Sequence, residues 1–299
     1  MDSTSGRPDN QTSPQRDDSR RTPSIREAEI DTAVAHFHYA QAGTGPPVLL
    51  LPGSGGWKLT LTDLTAALAR RHTVYALDPP GQGLTRIHDR STRFGTDAVA
   101  DSIRTFLDAV GIRRAAIVGH SWGGGFALRF AQLHPERLTR LALIAPGGLD
   151  VADRWEFRLL RLPVLGEIGV HLISTASVRH MIRKSFANRD RIPDNLIQDY
   201  VRMMRQAPGR AERLADLLRV ERSVRWSDTE RDLSSVDAPV LLLWGSEDRY
   251  FPVRLMQRFT ARLPHVQAHL LPGGGHSLHD DLPDATMQRL RPFLSADLG

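Results

Sequence analysis

Short apolar runs recur along the chain with helical periods between them, and this alternation restricts the fold more than any other feature. Val48 to Leu51, Val74 to Leu77, Ala115 to Val118, Leu141 to Ala145 and Val240 to Trp244 are brief, and many of their residues are β-branched. Runs of that kind suit strands covered on both faces. Between most of them lie helical patterns: Leu59 to Leu68, the set Ile103, Phe106, Leu107 and Val110, and Phe126 to Leu133. Each repeats apolar residues every three or four positions, as a helix with one buried face does. The alternation predicts an α/β chain with a mostly parallel sheet and helices on both faces.

The pattern breaks between about Leu149 and Val236, where strand-like runs give way to arginine-rich segments of helical period such as Leu196, Ile197, Tyr200, Val201 and Met204. Strand signals return at Val240 and again at Ala268 to Leu271, so the helical segment interrupts one domain instead of starting another. We therefore expect a core over 28–148 and 237–299 with a helical cap over 149–236. Residues 1–27 are rich in Ser, Thr, Pro, Asp and Arg with almost no large apolar side chain. That composition cannot offset the entropy of ordering and predicts a disordered polar tail.

Composition removes several chemistries. There is no cysteine, which excludes disulfides, thiolate metal sites and a cysteine nucleophile. Only Lys58 and Lys184 are lysines, and the net charge of +5 comes from arginines scattered among acids, without the aromatic-interleaved stripe of a nucleic-acid surface. The N-terminal segment carries no apolar signal region and no run is long enough to cross a bilayer, so a cytoplasmic location and no membrane partner are expected. No cofactor and no metal is implied, and a small molecule is the expected partner.

Gly119-His120-Ser121-Trp122-Gly123 has the form G-x-S-x-G. A short apolar strand leads in and a helical pattern leads out, the strand-turn-helix setting in which a serine projects from a sharp turn. Ser121 would stand at a helix N-terminus, where free N–H groups favour developing negative charge. A serine hydroxyl needs a base, and His276 lies in a glycine-rich loop directly after the last strand signal. His279 is its competitor, whereas His265 and His269 fall before or within that strand. Asp248, just past the strand that ends at Trp244, is the expected carboxylate partner of the histidine. Its neighbour Glu247 would aim elsewhere, and Asp150 after an adjacent strand is the alternative. For an oxyanion, the backbone N–H of Trp122 and that of Ser54, in the loop Leu51-Pro52-Gly53-Ser54-Gly55-Gly56, are the expected donors.

Five ordered signals, LPGSGG, DPPGQG, GHSWGG, WGSED and GGGH, make residues 33 to 295 resemble the α/β-hydrolase superfamily. The resemblance is to the serine-nucleophile branch of small esterases and carbon-carbon bond hydrolases of the meta-cleavage product type. It implies an eight-stranded sheet, a Ser121, Asp248, His276 triad and a cap supplying most substrate contacts. Serine at 121 separates the chain from relatives with an aspartate nucleophile. Pro52 stands where many relatives carry histidine, which removes one support of the oxyanion loop. The leading expectation is cleavage of a carboxylic ester, lactone or thioester through an acyl-enzyme. Alternatives are a carbon-carbon bond hydrolase, lyase or perhydrolase with the same triad, and a non-catalytic receptor on the same fold. The cap arginines Arg179, Arg183, Arg202 and Arg205 could meet an anionic substrate, but a solvated helix face is the simpler reading.

Overall fold

The computed structural model describes residues 23–91, 93–152, 158 and 161–296. Most of the predicted tail, residues 1–22, lies outside them. Its end does not: strand β1 (Arg26–Asp31) begins two residues before the expected boundary, because Arg26 and Glu27 pair with Gln41 and Ala40 of β2 (Ala35–Ala42).

The remaining strands are β3 (Pro47–Leu51), β4 (Thr73–Leu77), β5 (Arg86–Ile87), β6 (Ala115–His120), β7 (Leu138–Ile144), β8 (Val240–Gly245) and β9 (Val266–Leu271). They form one sheet in the order β1-β2-β4-β3-β6-β7-β8-β9, with the two-residue β5 added beside β2. From β4 to β9 every neighbouring pair is parallel, while β1, β2 and β5 enter antiparallel at one end. The mostly parallel α/β sheet expected from the alternation is present, and the eight strands that the resemblance implies are joined by one short addition.

Strand alternation divides the core. Leu49 and Leu51 face one side with helices α2 (Thr96–Ala109) and α3 (Trp122–Leu133), and Val48 and Leu50 face the other with α1 (Thr62–Leu68) and the C-terminal helix Pro283–Ser295. Each of these leucines is fully buried, so truncating one to alanine should cost about 2–5 kcal/mol.

Between β7 and β8 lies the inserted helical cap region, including Leu165–His171, Thr175–Ser185, Leu196–Gln206 and Arg210–Ser223. Two small clusters of its own, around Val170, Leu214 and Leu218 and around Val178, Ile182 and Phe186, hold it together. The insertion returns to the core earlier than its sequence suggests. Val224, Trp226, Leu233 and Val236 belong to the main cluster, with the Trp226 ring 5.5 Å from Trp122 and 5.4 Å from Phe126. Arginines between these apolar positions hide their periodicity.

Sheet order is what places the site. The chain turns back at β3, with β4 on one side and β6 on the other, and the crevice at such a switch point opens at the carboxyl ends of the strands. The loops after β3, β6, β8 and β9 all emerge there.

Candidate active site

Ser121 follows β6 directly and precedes the first residue of α3. Its backbone has φ 52° and ψ −123°, a conformation costly for a side-chain-bearing residue and one held only by strong surroundings. Those surroundings are hydrogen bonds: its N–H donates to Ile144 O (3.0 Å), and its carbonyl accepts from Gly124 N (2.9 Å) and Gly147 N (2.7 Å). The flanking glycines are steric necessities. A Cβ on Gly119 would lie 2.5 Å from Gly123 O, and one on Gly123 would lie 2.3 Å from Leu51 O.

The expected trio comes together in one chain of hydrogen bonds. Ser121 Oγ is 2.9 Å from His276 Nε2, and His276 Nδ1 is 2.8 Å from Asp248 Oδ2. Since a carboxylate only accepts, Nδ1 carries the proton and the Nε2 lone pair faces the serine hydroxyl. The other oxygen of Asp248 accepts from the N–H groups of Tyr250 (2.7 Å) and Phe251 (2.8 Å), which fixes the carboxylate. All three members are buried.

The competitors fall elsewhere. Asp150 is exposed, and its backbone N–H donates to Glu230. Glu247 is exposed as well, His265 precedes β9 and His269 lies within it. His279 is buried nearby, but its ring packs on His120 at 4.7 Å and its Nε2 is 3.5 Å from Asp280.

The β3 loop crosses in front of Ser121. A Cβ on Gly53 would lie 2.9 Å from the Ser121 Cβ, so only glycine lets the loop approach so closely. Ser54 lines the cavity there, and Trp122 turns its indole into the core, leaving its backbone N–H at the head of α3. Support for the loop that Pro52 does not give comes from two other side chains. The Gln82 amide, oriented to suit its neighbours, donates to Gly53 O (2.6 Å) and Gly56 O (3.0 Å). Glu221, a buried carboxylate on the cap helix Arg210–Ser223, accepts from the Ser54 hydroxyl at 2.5 Å.

His120 and Glu221 were not singled out in the sequence. His120 Nε2 is 3.1 Å from the carbonyl of His276, so it is the donor, and the ring sits beside the triad histidine with centroids 4.9 Å apart. Burial, then the neighbouring His279 and His276, hold its pKa well below the usual histidine value and keep it neutral. The cap reaches the triad directly too. Ser185 O accepts from the N–H groups of His276 (2.8 Å) and Ser277 (3.0 Å), and Asp281 accepts from Gly275 N (2.7 Å) and Ala187 N (2.9 Å).

Above Ser121 is a cavity of about 350 Å³. Its roof is apolar, with Val170, Ile173, Val178, Met181, Ile182, Phe186, Leu196 and Met204 from the cap. Tyr200 lies edge-on to Trp57 at 4.4 Å, and burial beside Asp280 pushes its phenol pKa up, so it remains a donor. Among the described residues no lysine or arginine lines the cavity, whereas Glu221 and Asp280 do. Arg179, Arg183, Arg202 and Arg205 are exposed, and Arg202 pairs with Asp199 at 3.1 Å.

Comparison with known proteins identifies the family from this arrangement. Residues 48–289 match the model of the alpha/beta hydrolase family. The chain belongs to that family. It is an enzyme of the serine-hydrolase type. It is 30% identical over 261 residues to the uncharacterized protein Rv2715 of Mycobacterium tuberculosis, covering 80% of this chain and 73% of that one. It is 27% identical over 265 residues to the 2-hydroxy-6-oxo-6-phenylhexa-2,4-dienoate hydrolase of Burkholderia cepacia, covering 87% and 91%. Its fold is similar to the meta-cleavage product hydrolase of Pseudomonas fluorescens, with TM-score 0.75, 22% identity and coverage of 89% and 96%. Among the described residues no helix is long and apolar enough to cross a membrane. The named relatives favour carbon-carbon cleavage over the ester cleavage that leads the sequence reading.

Proposed function

We propose that this enzyme hydrolyses a carbon-carbon bond next to a ketone in a small, apolar, uncharged diketone, with Ser121 as nucleophile, His276 as general base and acid, and Asp248 as its orienting carboxylate. The single observation that carries the reading is the aligned Ser121–His276–Asp248 chain at the floor of an apolar cavity, with no lysine or arginine in its walls among the described residues. The type of bond is inferred from the relatives. The neutrality of the substrate is inferred from the cavity, because a buried carboxylate would find Glu221 and Asp280 there and, among the described residues, no arginine fork. A substrate ending in a dienoate, as the Burkholderia relative's name specifies, fits such walls poorly.

In this reading Ser121 Oγ attacks a ketone carbon and its proton passes to His276 Nε2. Negative charge on the former carbonyl oxygen is met by the N–H groups of Ser54 and Trp122. As the intermediate collapses, the carbon-carbon electron pair leaves as the enolate of the second carbonyl, which takes the proton from His276. Water then attacks the acyl-serine, giving its proton to His276, and a carboxylic acid departs as Ser121 regains its hydrogen.

An ester follows the same path with an alkoxide as leaving group, and the apolar roof would accept its acyl chain equally well. A substrate panel separates the two: neutral aryl or alkyl diketones, their carboxylate-bearing counterparts and p-nitrophenyl esters of matched chain length. Turnover of the neutral diketones above both other sets is expected. Preference for the esters would replace the bond assignment, and preference for the carboxylates would overturn the reading of the cavity. Labelling of Ser121 by a fluorophosphonate probe tests the nucleophile itself, and an unlabelled protein would favour the receptor alternative.

A further inference from the structure

At the antiparallel end of the sheet, the segment His36-Phe37-His38 places two imidazoles on one face of β2, with Phe37 buried on the other. Register sets their neighbours: Glu29 of β1 lies opposite His38, and Asp31 lies opposite His36. Glu29 Oε2 is 3.3 Å from His36 Nε2 and 3.5 Å from His38 Nε2, and the three donor atoms lie within 4.8 Å of one another.

Those separations are long for charge-assisted hydrogen bonds, which run at about 2.7–2.9 Å. The two Glu29–histidine separations match a different geometry: two ligands bonded at about 2.0–2.1 Å to a tetrahedral ion stand roughly 3.3–3.4 Å apart. We propose that Glu29, His36 and His38 form a surface site for a divalent transition-metal ion of the zinc type, with its fourth position open to solvent.

Outer contacts agree with that donor set. Asp31 Oδ1 lies 3.4 Å from His36 Nδ1, on the side of the ring away from the shared point. The same carboxylate holds His88 Nε2 at 2.9 Å. Lys58 is paired with Glu27 (3.1 Å) and Asp78 (3.3 Å), which offset part of its charge. Two imidazoles and a carboxylate suit zinc more than magnesium or calcium, which prefer all-oxygen shells. A bound ion would staple β1 to β2, in a region separate from the triad, so basal hydrolysis does not require it.

Zn²⁺ titration of the metal-free chain by calorimetry, with Co²⁺ absorption as a report of coordination, tests the site. One equivalent with micromolar or better affinity is expected, together with tetrahedral cobalt bands and a higher melting temperature in zinc. The double variant His36→Gln/His38→Gln and the single variant Glu29→Gln should each weaken binding at least tenfold while leaving the metal-free circular dichroism and fluorophosphonate labelling unchanged. No binding by the unaltered chain up to 100 times the protein concentration would overturn the proposal. So would binding that the variants retain, which would place the ion on other histidines.

Discussion

Ser121, Asp248 and His276 stand on turns that leave the ends of β6, β8 and β9, whereas Val178, Met181, Ile182 and Tyr200 reach the same cavity from cap helices that pack largely on one another. The floor is over-determined. Each polar atom of the triad has a partner, and glycine at 53, 119 and 123 answers a close approach of neighbouring atoms. The roof is apolar surface held by two small clusters, and volume-conserving changes there meet few directional constraints. Floor substitutions should therefore act on kcat and roof substitutions on KM and selectivity.

The largest effect tests the floor. Ser121→Ala should lower kcat by about four to six orders of magnitude and abolish fluorophosphonate labelling, since triad members act as a unit. Asp248→Asn should cost about 10⁴ in kcat by favouring the wrong tautomer of His276. Asp150→Asn serves as the control and should leave steady-state rates within about twofold, because nothing links Asp150 to the histidine. Equal losses in the two aspartate variants would mean that the hydrogen-bond chain has been misassigned.

Glu221→Gln crosses the boundary between the regions, as a cap residue that holds a floor loop through the Ser54 hydroxyl. We expect a kcat loss of about tenfold to a hundredfold with a smaller change in KM, less than the full removal of an oxyanion donor. Ser54→Ala should reproduce most of that loss, because it deletes the same contact from the other side. A change confined to KM would make Glu221 ordinary roof. Met181→Ala is the roof counterpart. It should raise KM for substrates with a long apolar acyl group by about 5- to 20-fold and leave kcat for short ones nearly unchanged, the scale of one lost apolar contact.

The same division governs how much could be read from sequence. Ser121, His276 and Asp248 were legible because strand, turn and helix signals are local, and because the oxyanion loop declares itself through glycine. The parallel strands β3, β4, β6, β7 and β8 announced themselves as apolar runs, and β9 as a weaker strand signal. β1 and β2 did not, since Ala35 to Ala42 alternates between core and an outer face that carries His36 and His38. Glu221 was hidden for another reason. It lies in a helix crowded with charged residues, 167 positions from Ser54, where an acid reads as solvated surface until the fold brings the two together. The fate of Val224 to Val236 depends likewise on where Trp226 lands, which is a tertiary fact.

The smallest effect discriminates most finely, because it asks whether a carboxylate at the cavity edge behaves like one in the floor. The Asp280 carboxylate lines the cavity at a long 3.5 Å from His279. Burial raises its pKa above the usual 3.8, against the lowering influence of His279, and nearby Asp63 and Asp281 raise it further. A carboxyl with a raised folded-state pKa binds its proton more tightly folded than unfolded. Stability is then greatest below 3.8 and falls as pH rises through the folded-state value, so at neutral pH the ionised group opposes folding. Asp280→Asn should accordingly raise the melting temperature at pH 7, and the gain should shrink toward zero as the pH is brought below 4. Asp248→Asn should do the opposite at pH 7, because Asp248 accepts from His276, Tyr250 and Phe251 and its replacement leaves donors without an anionic partner. Thermal denaturation of both variants across that pH range measures the contrast directly. A destabilised Asp280→Asn chain at pH 7 would place Asp280 with the floor and erase the distinction between the two regions.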